Sequence, residues 1–362
     1  MWRRSACNGE NSCVKTLHLT VDPAQLQALN ATTALDRAAE ILRAGGLVAM
    51  PTETVYGLGA NALDKDAVER IFHAKQRPSW DPVIVHVATQ ETINQIVAEI
   101  SATADRLMKV FWPGPLTLLL PRTSAVPDIV TAGRRLVGVR MPAHPVALEL
   151  IRRAGVPVAA PSANRFAHIS PTTAGHVLQD LEGRIDAVLD AGPTTRGLES
   201  TVIDPSTSPM IVYRPGAVTI EQIREVAGEA VPFKESAVPV ETPNESLPSP
   251  GVGLRHYAPK ARLVLIGAPV RQLGPRLAEA ARSRSDELVG VMLPAGVAAP
   301  PGVAPSRVFA WGRWDAPEEL AQRLYAGLRA LDGAGCSVIL CPLPPAEGIG
   351  AAIRDRLRKA AR

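Results

Sequence analysis

Short apolar runs of about four to six residues recur along most of this chain, each closed by a glycine, a proline or a segment with helical periodicity. Runs of that length suit buried strands, and helices between them must cover a sheet, so the expected fold class is α/β. Residues 17–21, 47–50, 83–87, 116–120, 136–141, 156–160, 187–190, 201–204 and 210–213 read as strands. Helical periodicity marks 33–43, 64–74, 91–100, 103–111, 144–153 and 172–181, and a helix over 220–227 opens with Thr219 and Gln222 in capping-box spacing. Helices and strands do not strictly alternate, which predicts a mixed, twisted sheet in place of a fully parallel one.

Between 228 and 260 the composition shifts to Pro, Ser, Glu and Val without a sustained period, as a linker would. Beyond it, apolar runs at 263–266, 288–293, 308–311 and 338–341 alternate with helical segments at 270–284, 317–331 and 349–361. That alternation predicts a smaller, parallel, Rossmann-like α/β domain. The chain thus divides into a loose tail (1–16), a larger first domain (17–227), a linker (228–260) and a C-terminal domain (261–362). Its 362 residues are enough for two separate cores.

Composition removes several function classes. Hydrophobic residues make up 46% and charged residues 20%, a globular balance with no run long enough to span a bilayer, so no membrane partner is expected. A net charge of +4 is too small and too dispersed to announce a nucleic-acid surface. Cys7, Cys13, Cys336 and Cys341 follow no zinc spacing, and Arg3 and Arg4 are not followed by an export segment, so a cytoplasmic location is expected.

The stretch 51–59, PTETVYGLG, sits between an expected strand and an expected helix, the place where α/β proteins present ligand loops. Thr52 and Thr54 offer hydroxyls there, and Gly57 and Gly59 permit close backbone approach. Lys75 and Arg77 end the next helix before Pro78, where cations also complement a helix dipole. Arg140 and Arg214 stand at strand ends before Pro142 and Pro215. Cations gathered in one cleft repel each other unless a polyanion joins them, and a nucleoside triphosphate fits that requirement. No GxxxxGK[ST] phosphate loop is present, and no GxSxG elbow surrounds Ser162 or Ser200. His86, within VIVHV, is readable as a core histidine or a ligand contact, and Asn164 as a turn residue. Gly348 and Gly350 carry no dinucleotide fingerprint, and no HxH or HExxH pattern predicts a protein-held metal.

Taken in order, PTETVYGLGANA, AKQRP with IVHV, WPGPLT, VRMPAHP, APSAN, ESTVID and YRPG resemble the YrdC and Sua5 family of L-threonylcarbamoyladenylate synthases. SPG, RHYAP and EGIGAAIRDRLRKAA resemble the linker and C-terminal domain of its longer, Sua5-type members. The resemblance implies an enzyme that joins L-threonine, bicarbonate or CO₂, and ATP into threonylcarbamoyl-AMP with release of pyrophosphate. That product supplies the threonylcarbamoyl group for the modified adenosine beside the tRNA anticodon. Implied threonine contacts are Thr54, His86, Arg140 and Ser200, with backbone from Ala160. The implied ATP side comprises Lys75, Arg77, Asp81, Ser162, Asn164, Ser170, Arg214 and Tyr257, with backbone near Leu136. Lys75 and Arg77 would absorb charge in the reaction, His86 is a candidate base or binding group, and Mg²⁺ would arrive with ATP. Downstream threonylcarbamoyl-transfer proteins are implied partners; direct tRNA contact is left open. Asp81 stands where the family usually has Asn, and Val252 and Leu254 where its linker has Met and Tyr. The alternatives are an RNA-binding or ribosome-associated factor, and a carbamoyl-transfer enzyme of the hydrogenase-maturation type.

Overall fold

The structure is a computed structural model that describes residues 15–234, 249 and 257–362. The catalytic region runs β1 (Leu17–Thr20), α1 (Leu29–Arg43), β2 (Val48–Met50), β3 (Gly57–Asn61), α2 (Lys65–Lys75), β4 (Ile84–His86), α3 (Gln90–Ile96), α4 (Ala102–Phe111) and β5 (Leu116–Pro121). It continues through α5 (Asp128–Thr131), β6 (Leu136–Arg140), α6 (Pro145–Ala154), β7 (Val158–Ala159), α7 (Ala174–Leu181), β8 (Ala187–Asp190), β9 (Thr201–Asp204), β10 (Met210–Arg214), α8 (Ile220–Ala227) and β11 (Ala230–Pro232). These strands form one sheet in the order β1-β8-β2-β3-β7-β4-β6-β5-β9-β10-β11. Parallel pairs such as β4 with β6 sit beside antiparallel ones such as β5 with β6, so the mixed sheet expected from the sequence is present.

The stretch expected as a glycine loop differs from expectation, because its second half is strand. β3 pairs antiparallel with β2 and with β7. A Cβ on Gly59 would lie 2.8 Å from Val158 Cγ1 and 3.2 Å from the Val48 carbonyl oxygen, and one on Gly57 would lie 3.3 Å from Ala160 Cβ. Those glycines let three strands close on one another, and only residues 51–56 remain as a connecting loop. The sequence also places a linker where β11 stands. As the edge strand beside β10, β11 tolerates Pro232, which a central strand would not. The linker positions Val252, Leu254, Arg255 and His256 lie outside the described residues.

Local signals shape the helix ends, the Thr219 box as expected. Asp64 caps α2 by accepting from the N–H groups of Asp66 and Ala67, and Thr219 and Gln222 complete their reciprocal capping box on α8. At the C-terminal end of α2, Gln76 takes left-handed backbone (φ 54°), which turns Arg77 out of the helix axis ahead of Pro78.

The C-terminal domain comprises β12 (Arg262–Ile266), α9 (Val270–Arg282), β13 (Val289–Pro294), β14 (Val308–Gly312), α10 (Pro317–Gly333), β15 (Val338–Pro342) and α11 (Ile349–Ala360). Its sheet is wholly parallel, ordered β12-β15-β13-β14. Its core does not stop at the domain edge: Val55, Ile169 and Leu198 from the catalytic domain pack in one buried cluster with Tyr257, Tyr325 and Leu357. Among the described residues no helix is long and apolar enough to cross a membrane.

Candidate active site

Three central strands position the first wall of the cleft. In the parallel register of β4 and β6, His86 stands directly beside Arg140, and β7 flanks β4 on its other side. The loop after β2 then brings Thr54 across. Arg140 Nη1 donates to Thr54 Oγ1 at 2.9 Å, Nε donates to the Gly114 carbonyl at 3.1 Å, and Nη2 lies 2.6 Å from Glu53 Oε1. A guanidinium carries more N–H donors than these contacts use, so its fork can still receive a carboxylate. Glu53 is 6% exposed, and its charge offsets part of the cost of burying Arg140.

The second wall carries the other cations. Arg77 Nη2 pairs with Asp81 Oδ1 at 2.9 Å and donates to the Pro82 carbonyl at 2.7 Å, while its Nε donates to the Asp81 carbonyl at 3.2 Å. Arg77 is thereby locked against its own loop with one edge on the cavity. Arg214, at the end of β10, donates from Nε to the Ser200 carbonyl at 3.0 Å and from Nη2 to Ser200 Oγ at 3.1 Å. Ser200 Oγ also shares a 2.7 Å hydrogen bond with Thr117 Oγ1.

Thr54, Arg77, His86, Arg140, Ala160, Ser162, Ser200, Arg214 and Tyr257, all singled out from the sequence, line this single cavity. Five others do not. Lys75 Nζ is turned into the protein, donating to the carbonyls of Ser162 and Asn164, each at 2.5 Å. It clamps the loop that carries Ser162. Asp81 is fully buried behind Arg77, Asn164 donates its amide to the carbonyls of Arg165 and His168, and Ser170 donates to Glu199 Oε1 at 2.5 Å. Leu136 opens β6 and borders a separate depression with Ala98 and Pro127. The acidic group at position 81, where the family usually has Asn, is turned away from the cavity and paired with Arg77.

Burial and the neighbouring charge of Arg140 push the His86 imidazole down to about 3. It is therefore neutral at ordinary pH and a feeble base, and its Nδ1 has no hydrogen-bond partner among the described residues. That favours the binding alternative over the base. Burial and Arg77 also push the Lys75 ammonium well below its usual range. Burial would raise the Glu199 carboxyl, but Arg356 and Arg214 outweigh it and hold the group below the usual range.

Sequence reasoning missed Glu53, Thr117, Glu199, Tyr325 and Arg356. Glu53 was findable, since it lies inside PTETVYGLG beside Thr54. The partners Glu199 and Arg356 are 157 residues apart, and no local spacing announces them.

Comparison with known proteins agrees over most of the chain. A Sua5/YciO/YrdC family model, described as telomere recombination, matches residues 40–216, and a model of the threonylcarbamoyl-AMP synthase C-terminal domain matches 218–362. The threonylcarbamoyl-AMP synthase of Pyrococcus abyssi is 42% identical over 323 residues, 89% of this chain and 92% of that one. Its Bacillus subtilis counterpart is 42% identical over 329 residues, 90% of this chain and 92% of that one. The crystal structure of P. abyssi Sua5 complexed with L-threonine superposes with a TM-score of 0.85 at 41% identity, covering 96% of this chain and 98% of that one.

Proposed function

The chain belongs to the threonylcarbamoyl-AMP synthase family, and from that premise we propose how its cleft handles L-threonine, bicarbonate or CO₂, and ATP. The observation that carries the proposal is the meeting of a hydroxyl-lined Arg140 wall with an Arg77 and Arg214 wall across one cavity. The first wall suits an amino acid. Threonine's carboxylate binds the open edge of the Arg140 fork, while Thr54, Ser200 and neutral His86 orient its amine and hydroxyl. The second wall suits a polyphosphate, held by Arg77 and Arg214 with Ser162 and Tyr257 at its border.

The neutral amine takes up bicarbonate to give a carbamate and water, so this step needs no strong base once the amine has shed its proton to solvent. A carbamate oxygen then attacks the α-phosphorus, and pyrophosphate leaves from the opposite side with the bond electrons. Both steps depend on placement and on fixed cations facing the developing charge. Lys75 serves by holding the loop that carries Ser162.

Mg²⁺ is proposed as a companion of the ATP phosphates. Among the described residues no three His, Cys, Asp or Glu side chains converge as a metal site, and the nearby carboxylates of Glu199, Asp81 and Glu53 are each paired with an arginine. We propose further that the reaction takes place in the cytoplasm, upstream of proteins that move the threonylcarbamoyl group to tRNA. The test is pyrophosphate release from ATP, Mg²⁺ and bicarbonate with and without L-threonine. Release should depend on threonine; equal release without it would overturn the reading.

A further inference from the structure

Glu199 immediately precedes Ser200, yet its carboxylate faces the C-terminal domain. Oε1 accepts from Ser170 Oγ at 2.5 Å, and Oε2 accepts from Tyr325 Oη at 2.9 Å and from Arg356 Nε at 2.8 Å. Tyr325 belongs to α10 and Arg356 to α11, and both side chains are fully buried. Tyr257, on the cavity wall, stacks against Tyr325 with ring centroids 5.8 Å apart, and the Arg356 guanidinium lies over the Tyr257 ring, 5.2 Å from its centroid. Arg356 is itself held by Asp355, which accepts from its Nη1 at 2.6 Å and also pairs with Lys359 at 3.1 Å.

Glu199 therefore has two cations within its influence, Arg356 and Arg214. Arg356 occupies the carboxylate directly. Arg214 is left to bond Ser200 through its Nε and Nη2. A buried carboxylate cannot remain unpaired cheaply, so if Arg356 lost its charge the other cation acting on Glu199 would be drawn to it. That cation is Arg214, which lines the same cavity as Glu199, and Ser200 would keep Thr117 but lose its guanidinium donor.

We propose that Arg356 is a positioning residue for the reaction: by neutralising Glu199 from the C-terminal domain, it leaves Arg214 free to face the nucleotide and to hold Ser200. This rests on the functional reading above, and it gives the C-terminal domain a defined part in that reading. The α11 helix completes the electrostatics of a cleft it does not line. Because Arg356 acts through Glu199, its loss is repaired by removing the charge it balances.

The test compares Arg356→Gln, Arg356→Lys and the double variant Arg356→Gln with Glu199→Gln in the full chain. ATP affinity is read by titration calorimetry, and KM for ATP by threonine-dependent pyrophosphate release. Arg356→Gln should raise KM and Kd for ATP by about tenfold or more, with a smaller change in kcat. Arg356→Lys should stay within about threefold of wild type, and the double variant should recover most of the ATP affinity lost by Arg356→Gln. Circular dichroism and thermal melting establish that each variant is folded. Unchanged ATP affinity in folded Arg356→Gln would overturn the proposal. So would equal losses in all three variants, or an Arg356→Gln chain that does not fold while the double variant folds but binds ATP no better than background. A wild-type chain that releases pyrophosphate without threonine would overturn the functional reading instead, while the calorimetric comparison would still decide the role of Arg356.

Discussion

The two sheets place their charge differently. The catalytic sheet mixes parallel and antiparallel pairs, and around it lie buried Lys75, Arg77, Asp81, His86, Arg140 and Arg214. The C-terminal sheet is wholly parallel, its strands are flanked by apolar clusters, and its buried charges, Arg356 and Lys359, both sit on α11. Burying a charge is costly, so a fold keeps one only where a partner or a ligand compensates it. In the first region Arg77, His86, Arg140 and Arg214 converge on a cavity, with Lys75 and Asp81 packed outside it, and in the second Arg356 reaches the boundary with the first. The C-terminal domain is thus a packed body with one electrically active face.

The largest expected effect breaks the first region. Arg140→Gln leaves Glu53 buried without its cation and removes the proposed carboxylate fork, so kcat/KM for threonine should fall by about a hundredfold or more, equivalent to roughly 3–5 kcal/mol. Threonine-dependent pyrophosphate release measures it, and a loss below tenfold would remove Arg140 from the threonine wall.

Leu324→Ala asks the complementary question of the second region. Leu324 is fully buried in α10, so truncation should cost about 2–5 kcal/mol of stability in denaturant unfolding. Below the unfolding transition kcat should change far less than with Arg140→Gln. A matching collapse of kcat in the folded variant would show that the C-terminal core, and not only its charged face, governs the chemistry.

A third prediction separates charge from packing at His86. The folded imidazole sits near 3 and the unfolded one near its ordinary value of 6.5, so between those values the unfolded chain binds more protons. Stability must then decline as pH falls through that window, by at most about 1.4 kcal/mol per pH unit from this group. His86→Gln should flatten part of that acid slope in melts from pH 6.5 to 4.5. An unchanged slope would mean that His86 is not held neutral.

The smallest effect belongs to the surface. Lys65 and Glu69 form an exposed i,i+4 pair 3.4 Å apart on α2, and Lys65→Ala should change stability by no more than about 0.5 kcal/mol, with unaltered kinetics. A larger loss would mean that charge outside the buried set also matters.

Strands and helices were readable because their signals are local. Apolar runs, helical periodicity and the Thr219 cap each act within a few residues, and α8 occupies Ile220–Ala227 as expected. The ordered motifs identified most of the cavity wall for a related reason, since each carries its functional side chain next to a strand end. Gly57 does line the cavity, but Gly59 was misread because a glycine's meaning is not local. Nothing within PTETVYGLG tells whether Gly59 admits a phosphate or admits Val158, and the neighbouring strand decides.

By itself the amino-acid sequence determined a mixed α/β domain followed by a parallel one, and the residue types a two-substrate cleft requires. Only the tertiary structure decided which charges meet. It turned Lys75 into a loop clamp, paired Asp81 with Arg77, and joined Glu199 to Arg356. Coulomb interactions and desolvation depend on distance and burial in space, and a separation of 157 positions along the chain carries no trace of a 2.8 Å contact.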